Sequence, residues 1–329
     1  MRVRFTVRRP PSKNSCMNNL ATHLWTKGNF AGLTTRPARA LIGWIAERDA
    51  QILLGIPLHP TAPSPADVRR VALAHAAVEA RARGIEQSLA VSGIDDALRD
   101  YVLEGGKHPH YRSYFASGCT IRVAYLPDIC ALQPIVHLDY ASFAGHFAEL
   151  LERTNQQDLE SLARITLPLN APGPPPVHFD DRKHAWTFRS ANPDVRIMGN
   201  FSARLELAPG LFAMGYGFCV AQPISLVQVV LYRGRYFLKD GYHRCLALLE
   251  RGITHVPVMF QELDETQKLV VEGRFSDQVI LGDHPPMLTD YLRDDVAAEV
   301  AHLSFSKTIT IRADESHCWG EAAAGRTGP

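Results

Sequence analysis

The segment from Tyr232 to Phe260, YRGRYFLKDGYHRCLALLERGITHVPVMF, constrains the fold more than any other part of the chain. The run RYFLK predicts a strand, and Asp240-Gly241 ends it, since glycine accepts backbone angles that other residues resist. YHRCLALLERG then predicts a helix of about three turns with a buried leucine stripe, which Gly252 terminates. ITHVPVMF predicts the next strand. The segment is therefore expected to form a strand–turn–helix–strand unit with very short connections.

The first turn of that helix predicts an anion-binding site. Its backbone N–H groups have no intrahelical partner, and the helix dipole adds partial positive charge there. His243 and Arg244 are donors at the same turn, and arginine can hold a phosphate through two parallel hydrogen bonds. Asp240 would then orient a ligand hydroxyl or help to hold a magnesium ion. The alternative is a structural turn, in which Asp240 caps the helix, His243 lies on the surface and Arg244 pairs with a carboxylate.

A larger pattern surrounds this turn in residues 222–263. It consists of an opening Pro-Ile and strand, a short hairpin, a strand ending in Asp-Gly, a helix starting with His-Arg, and Gly-Ile before a Val-Pro-Val strand. These features fall on Pro223-Ile224, Arg233-Gly234, Asp240-Gly241, His243-Arg244, Gly252-Ile253 and Val256-Pro257-Val258. Together they resemble the ParB/sulfiredoxin-like superfamily. The resemblance does not extend to the N-terminal half of the chain.

The resemblance implies a small mixed-sheet domain that binds nucleotide phosphates at the N-terminus of this helix. The residues that it places around the phosphates are Asp240, Gly241, Tyr242, His243 and Arg244. It also implies ATP or another nucleotide, with Mg²⁺, as the ligand. This expectation agrees with the anion site that the electrostatics of the turn predict.

The activity implied by the resemblance depends on the residues of the turn. Sulfiredoxin has a nucleophilic cysteine where this chain has Tyr242, which argues against the sulfiredoxin reaction. ParB partition proteins carry Gly-Glu-Arg-Arg there and a helix-turn-helix module after it, and neither is evident here. Free serine kinases carry Asp-Gly-His-His-Arg, which is nearer and implies a nucleotide-dependent phosphotransferase with an upstream catalytic carboxylate. Glu206 and Asp194 are candidates for that carboxylate, Cys245 is expected to pack in the core, and no catalytic residue is assigned.

The rest of the chain predicts an α+β protein, with a helix-rich N-terminal region followed by the small mixed-sheet domain. RALIGWIAERDAQILLG has apolar residues at helical spacing, and Ser64-Pro65 gives a second helix a good start. Five prolines between Pro168 and Pro176 predict an irregular connector, and strand-rich patterns follow it. Met17 is the expected natural start. The expected organisation is a flexible arm (1–30), a helix-rich region (31–167), a Pro-rich connector (168–177), the ParB/sulfiredoxin-like domain (178–285), a C-terminal helix (286–312) and a loose tail (313–329).

Composition argues against several classes of function. The 35 basic and 34 acidic residues nearly cancel, so nothing indicates long-range attraction to nucleic acid or to a membrane. No window approaches the roughly 18 consecutive apolar residues of a membrane span. Six cysteines without a CxxC pair indicate reduced thiols in a bacterial-type cytoplasm and no structural zinc. His108 and His110 are expected in a polar loop, and His137, Asp139 and His146 at ordinary positions, so no metal site is predicted.

Two functions remain open. The first is the binding of a nucleotide or another phosphorylated small molecule, with or without phosphoryl transfer. The second is a non-catalytic recognition or regulatory module, in which the same turn binds an anionic group on a partner. An enzyme would deplete nucleotide in a reaction that depends on Arg244, whereas a module would bind without turnover. Where the turn binds phosphate, the Arg244 side chain is expected to be open to the ligand, so that its removal changes fold stability little.

Overall fold

The structure, a computed structural model, describes most of the chain between residues 35 and 312. The described ranges are 35–55, 63–81, 91–93, 96–138, 158–170, 176–190, 195–222, 224–264, 269–271, 273–303 and 307–312. The predicted arm (1–30), the predicted tail (313–329), Met17, Asp139, His146 and Asp194 lie outside these ranges, as do Pro223 and residues 171–175 of the predicted connector.

Helices and strands alternate irregularly along the described residues. The strands are β1 (Thr35–Ala40), β2 (Val91–Ser92), β3 (Thr120–Tyr125), β4 (Cys130–Ala131), β5 (Ile135–His137), β6 (Val177–Asp180), β7 (Ala185–Ser190), β8 (Arg196–Ala208), β9 (Leu211–Ala221), β10 (Gln228–Tyr232), β11 (Arg235–Asp240), β12 (His255–Glu262), β13 (Ala298–Leu303) and β14 (Lys307–Arg312). The helices are α1 (Glu47–Gly55), α2 (Pro65–Glu79), α3 (Arg99–Lys107), α4 (Pro109–Ala116), α5 (Leu159–Thr166), α6 (Tyr242–Leu249) and α7 (Asp277–Ile280), with 3-10 turns at Asp96–Leu98, Leu126–Asp128 and Leu288–Leu292. The mixture is the one expected of an α+β protein.

These elements belong to two compact units. The first, here called the core unit, contains the described residues of 35–170 and 224–303. The second, the hairpin unit, contains those of 176–222 and 307–312. The hairpin unit thus contains β6 to β9 and β14, and the remaining elements form the core unit.

A six-stranded mixed sheet, in the order β2-β3-β12-β10-β11-β4, organises the described part of the core unit. β12 is antiparallel to β3 and parallel to β10, while β11 is antiparallel to β10 and parallel to β4. The sheet therefore crosses the predicted boundary at 168–177, since β3 comes from the predicted helix-rich region and β12 from the predicted C-terminal domain. The buried side chains of Ile121 and Val123 give β3 an apolar face. This face favours pairing with β12, where Met259 and Pro257 are their cross-strand neighbours.

A smaller antiparallel sheet, in the order β13-β1-β5, packs against α1 and α2. Two helix predictions are wrong here. The first residues of RALIGWIAERDAQILLG complete β1, and α1 begins only at Glu47. The predicted helix over 286–312 is a 3-10 turn followed by β13 and β14, because Ala298 and Val300 are buried while Glu299 between them is exposed, the period of a strand.

α6 lies inside the main core of the core unit. All of its residues except His243 are buried, and its leucines join the cluster formed by β10, β11 and β12. On its other side the ring of Tyr242 meets that of Tyr291 edge to face, with their centres 6.2 Å apart. A helix buried so completely is held rigidly, and so is the turn from which it starts.

The hairpin unit consists of β structure in its described residues. β14, β7 and β6 form an antiparallel sheet, and β8 pairs with β9 in a separate long hairpin. The strand-rich pattern predicted after the connector is present here, with AWTFRS in β7 and ARLELA in β8. In β9, exposed residues alternate with half-buried ones along FAMGYG.

Candidate functional site

The predicted strand-to-helix junction is confirmed at Asp240 to Arg244. β11 ends at Asp240, and α6 begins at Tyr242. Gly241 between them has φ +97°, in the left-handed region that favours glycine. A Cβ atom on Gly241 would lie 2.7 Å from Cγ2 and 2.9 Å from Cα of Val227, so no larger residue fits without displacing the neighbouring backbone. Both the backbone angle and the close packing therefore require glycine at this turn.

The Tyr242 side chain points into the protein and fastens α6 to the residues after β4. Its hydroxyl accepts hydrogen bonds from the amides of Leu132 (2.6 Å) and Gln133 (3.2 Å) and donates one to the carbonyl of Leu238 (2.7 Å). Burial raises the pKa of Tyr242 well above its usual range, so the hydroxyl stays protonated. Its side chain thus stabilises the fold, whereas the family resemblance implied that it lines the ligand.

Arg244 is buried as well, with 5% of its surface exposed. Nη1 donates to the carbonyls of Ile165 and Thr166 (both 3.2 Å) and of Ser225 (2.9 Å). The first two carbonyls belong to the C-terminal end of α5, where a cation complements the negative end of the helix dipole. The prediction that this guanidinium is held open for a ligand is therefore wrong, because α5 already supplies the negative partner that a ligand would have offered.

A hydrogen-bonded relay links Arg244 to Asp240 through a serine. Arg244 Nη2 donates to Ser225 Oγ (2.9 Å), and Ser225 Oγ donates to Asp240 Oδ2 (3.1 Å). The other carboxylate oxygen of Asp240 accepts from the amide of Gly241 (2.7 Å). Burial lowers the pKa of Arg244, and the nearby Asp240 carboxylate opposes that shift. The relay thus connects the negative C-terminal end of α5 with the positive N-terminal end of α6. Its members are the Arg244 cation, the Ser225 hydroxyl and the Asp240 carboxylate.

Half-buried polar side chains extend this relay along the sheet. Gln228 on β10 is the cross-strand partner of Asp240, and its Nε2 lies 3.4 Å from the hydroxyl of Tyr114 on α4. The ring of His110 meets that of Tyr114 at 5.4 Å, and its Nε2 lies 3.1 Å from the Ile224 carbonyl. Asp240 and Gln228 are only partly covered. The polar cluster, defined as Tyr114, Gln228, Ser225 and Asp240, and His243 on the first turn of α6 are the candidate ligand-facing residues of the site.

Sequence reasoning found the turn but missed Ser225, Gln228 and Tyr114. Ser225 directly follows Pro223-Ile224, the pair that opens the pattern of residues 222–263. Its place in that pattern is the signal that could have identified it. Gln228 could not be paired with Asp240 from the hairpin turn, because the register shifts between Gln228 and Val229. Tyr114 lies on a helix of the distant N-terminal half, and nothing in the sequence connects it to the turn.

The other candidates of the sequence have structural roles. His108, predicted in a loop, is the N-cap of α4, and its Nδ1 accepts from the amide of His110 (3.2 Å). Glu206 accepts a hydrogen bond from the amide of Gly210 in the turn of its own hairpin (3.2 Å). Cys245 is fully buried, and burial raises the pKa of its thiol to about 12, as expected for a core cysteine. Within the described ranges, no group of three or more His, Cys, Asp or Glu side chains is placed to hold a metal ion.

Comparison of the chain with protein-family models, curated proteins and solved structures found no match. Of the helices in the described ranges, none combines the length and apolar character that crossing a bilayer requires.

Proposed function

We propose that the core unit binds a nucleotide or another phosphorylated small molecule at the N-terminal turn of α6. The observation that carries the proposal is that α6 begins at a left-handed glycine and has no side-chain cap. The first-turn amides of an uncapped helix and its dipole favour an anion at this position. The resemblance of residues 222–263 to the ParB/sulfiredoxin-like superfamily supports the same ligand class and a domain of that type.

The residues of the turn have different roles in this proposal. His243, half-buried on the first turn of α6, supplies a side-chain donor beside the amides. Arg244 is a positioning residue, because it fixes the turn through Ser225 and α5. Asp240 orients a hydroxyl of the ligand. Since it offers one carboxylate, a Mg²⁺ ion would be held jointly by Asp240 and the ligand phosphates, as is usual for this ion.

Binding without turnover is the second candidate, and the internal use of Arg244 and Tyr242 favours it. A phosphotransferase needs cationic donors that reach the transferred group. Here the Arg244 guanidinium and the Tyr242 hydroxyl are both occupied by backbone groups. A recognition module needs only the amides and one donor. The two candidates share the anion-binding turn: a phosphotransferase would consume its nucleotide, whereas a recognition module would bind the anionic group of a partner without turnover.

Calorimetric titration with ATP, CTP and inorganic phosphate, each with and without Mg²⁺, tests the proposal. We expect at least one nucleotide to bind more tightly than inorganic phosphate. His243→Ala should weaken that binding about 5- to 10-fold, the loss of roughly 1–1.4 kcal/mol from one hydrogen-bond donor. His178→Ala removes an exposed histidine on β6 and serves as the matched control.

One result distinguishes the two candidates, and another would contradict both of them. Release of diphosphate nucleotide during the titration assigns an enzyme, and bound but unchanged nucleotide assigns binding without turnover. The absence of heat with every ligand, or equal affinities for the His243→Ala and wild-type proteins, would remove the turn as a phosphate site.

A further inference from the structure

The β8–β9 hairpin presents an unusual apolar surface. Its strands have 13 and 11 residues, and within the described ranges no other strand pairs with either outer edge. An isolated two-stranded hairpin is marginally stable in water, and a long uncharged edge strand is a template for pairing with another chain. The large apolar residues of β9 that are about half exposed or more are Leu211, Phe212, Met214 and Tyr216.

The register assigns the side chains of the hairpin to two different faces. Ser202, Arg204 and Glu206 on β8 lie opposite Tyr216, Met214 and Phe212 on β9, so one face mixes polar and large apolar groups. On the other face, glycines and alanines of β9 lie beneath two large side chains of β8. A Cβ on Gly217 would meet the Phe201 ring at 2.5 Å, and one on Gly215 would meet Leu205 at 2.8 Å. Apart from Leu211 at the start of the strand, the large side chains of β9 therefore stand on the polar-and-apolar face.

β9 is self-complementary when a second copy runs antiparallel to it. Its sequence, LFAMGYGFCVA, has no charged residue and Tyr216 at its centre. With Tyr216 opposite its own copy, Met214 faces Phe218 and Phe212 faces Val220, all on one face. Gly215 faces Gly217 on the other. At these positions large residues meet large ones and small residues meet small ones, Leu211 at the strand end faces Ala221, and no like charges are opposed.

We propose that β9 pairs with β9 of a second copy of this chain, with the two-fold axis at Tyr216, to form a four-stranded sheet. Such an isologous interface is the commonest way in which identical chains associate. It places Tyr216, which is 75% exposed, beside its own copy and gives β9 the second strand partner that a stable sheet needs. A lipid surface fits less well, because Arg204 and Glu206 stand on the same face as the large side chains of β9.

Charge-swap variants at the axis test this pairing by sedimentation velocity. We expect the wild type to sediment as a dimer. Tyr216→Glu and Tyr216→Lys should each sediment as a monomer, a twofold fall in mass, because each would place two like charges opposite each other. An equimolar mixture of the two variants should recover the dimer, and added salt should weaken it. Leu207→Lys, at a leucine of β8 that is 64% exposed, is the control and should remain dimeric.

The mixture distinguishes this pairing from the other occupants of the edge. A monomeric wild type would refute the proposal. The partner of the β9 edge would then be another segment of the same chain or a different protein. Variants that fail to reassociate when mixed, or a Leu207→Lys protein as monomeric as the Tyr216 variants, also refute it. Melting curves of the variants should match the wild type in the core-unit transition, since an exposed side chain is changed. None of these measurements involves the ligand of α6, so they stand or fall separately from the proposed function.

Discussion

Replacing Arg244 with alanine should destabilise the core unit in the absence of any ligand. The side chain donates to the carbonyls of Ile165, Thr166 and Ser225 and to Ser225 Oγ. The Thr166 carbonyl keeps a second donor, the amide of Val227 at 2.8 Å, so it stays satisfied. The other two carbonyls lose a charged donor at roughly 1–1.5 kcal/mol each. With the packing of the buried stem, the expected loss is about 3 kcal/mol, or roughly 6–12 °C in Tm for a unit of this size.

The assay is urea unfolding followed by circular dichroism, in a buffer without phosphate or nucleotide. Arg251→Ala is the matched control, because Arg251 lies just beyond the other end of α6, is exposed and donates to the Ala247 carbonyl. Its expected effect is within about 0.5 kcal/mol. Arg244→Lys should fall between the two, since lysine keeps the charge and loses the planar fork. Equal stability of Arg244→Ala and Arg251→Ala would refute the reasoning and return Arg244 to the role of an open ligand-binding arginine.

Three further variants or reagents test neighbouring parts of the turn. Gly241→Ala should cost about 3 kcal/mol of unfolding free energy, from a left-handed backbone and overpacking, whereas Gly234→Ala, also left-handed but in open space, should cost about 1 kcal/mol. Tyr242→Phe should cost about 2–3 kcal/mol in the same urea assay, because the buried amide of Leu132 and the part-buried amide of Gln133 lose their acceptor and the Leu238 carbonyl loses its donor; a loss below about 0.5 kcal/mol would contradict this. A thiol reagent at pH 8, mapped by mass spectrometry, should label exposed Cys219 in the native protein and Cys245 only after unfolding, since burial raises the pKa of Cys245 to about 12. Native labelling of Cys245 would show that α6 opens.

Sequence reasoning succeeded where the signal is local. The left-handed glycine at Gly241, the start of α2 at Ser64-Pro65 and the hairpin at Arg233-Gly234 are all present, because turn and cap chemistry acts over a few residues. The capping box of Ser64 and Asp67 is complete, with both reciprocal hydrogen bonds formed.

Long-range contacts explain the failures. Residues 298–303 carry a pattern compatible with a helix, and only pairing with β1, more than 250 positions away, selects a strand. Arg244 has the donor chemistry of an anion site, but its accessibility depends on α5 packing beside it, which no motif encodes. Tyr114 approaches Gln228 for the same reason, through tertiary packing of α4. Residue type thus indicated which groups have the right chemistry, and the fold decided which of them a ligand can reach.

In the main sheet, β3 is synthesised long before β12, a strand that pairs with it. β3 and its partner β12 are separated by 130 residues (255 − 125), among them most of the described hairpin unit. At a synthesis rate of about 5–20 residues per second, β3 waits roughly 7–26 s before its partner has been made. During that interval Ile121 and Val123 have no β12 to cover them, so nascent chains of this length should engage holding chaperones and aggregate when stalled. We therefore expect that slower translation between the two strands lowers the yield of native protein without any change in its sequence.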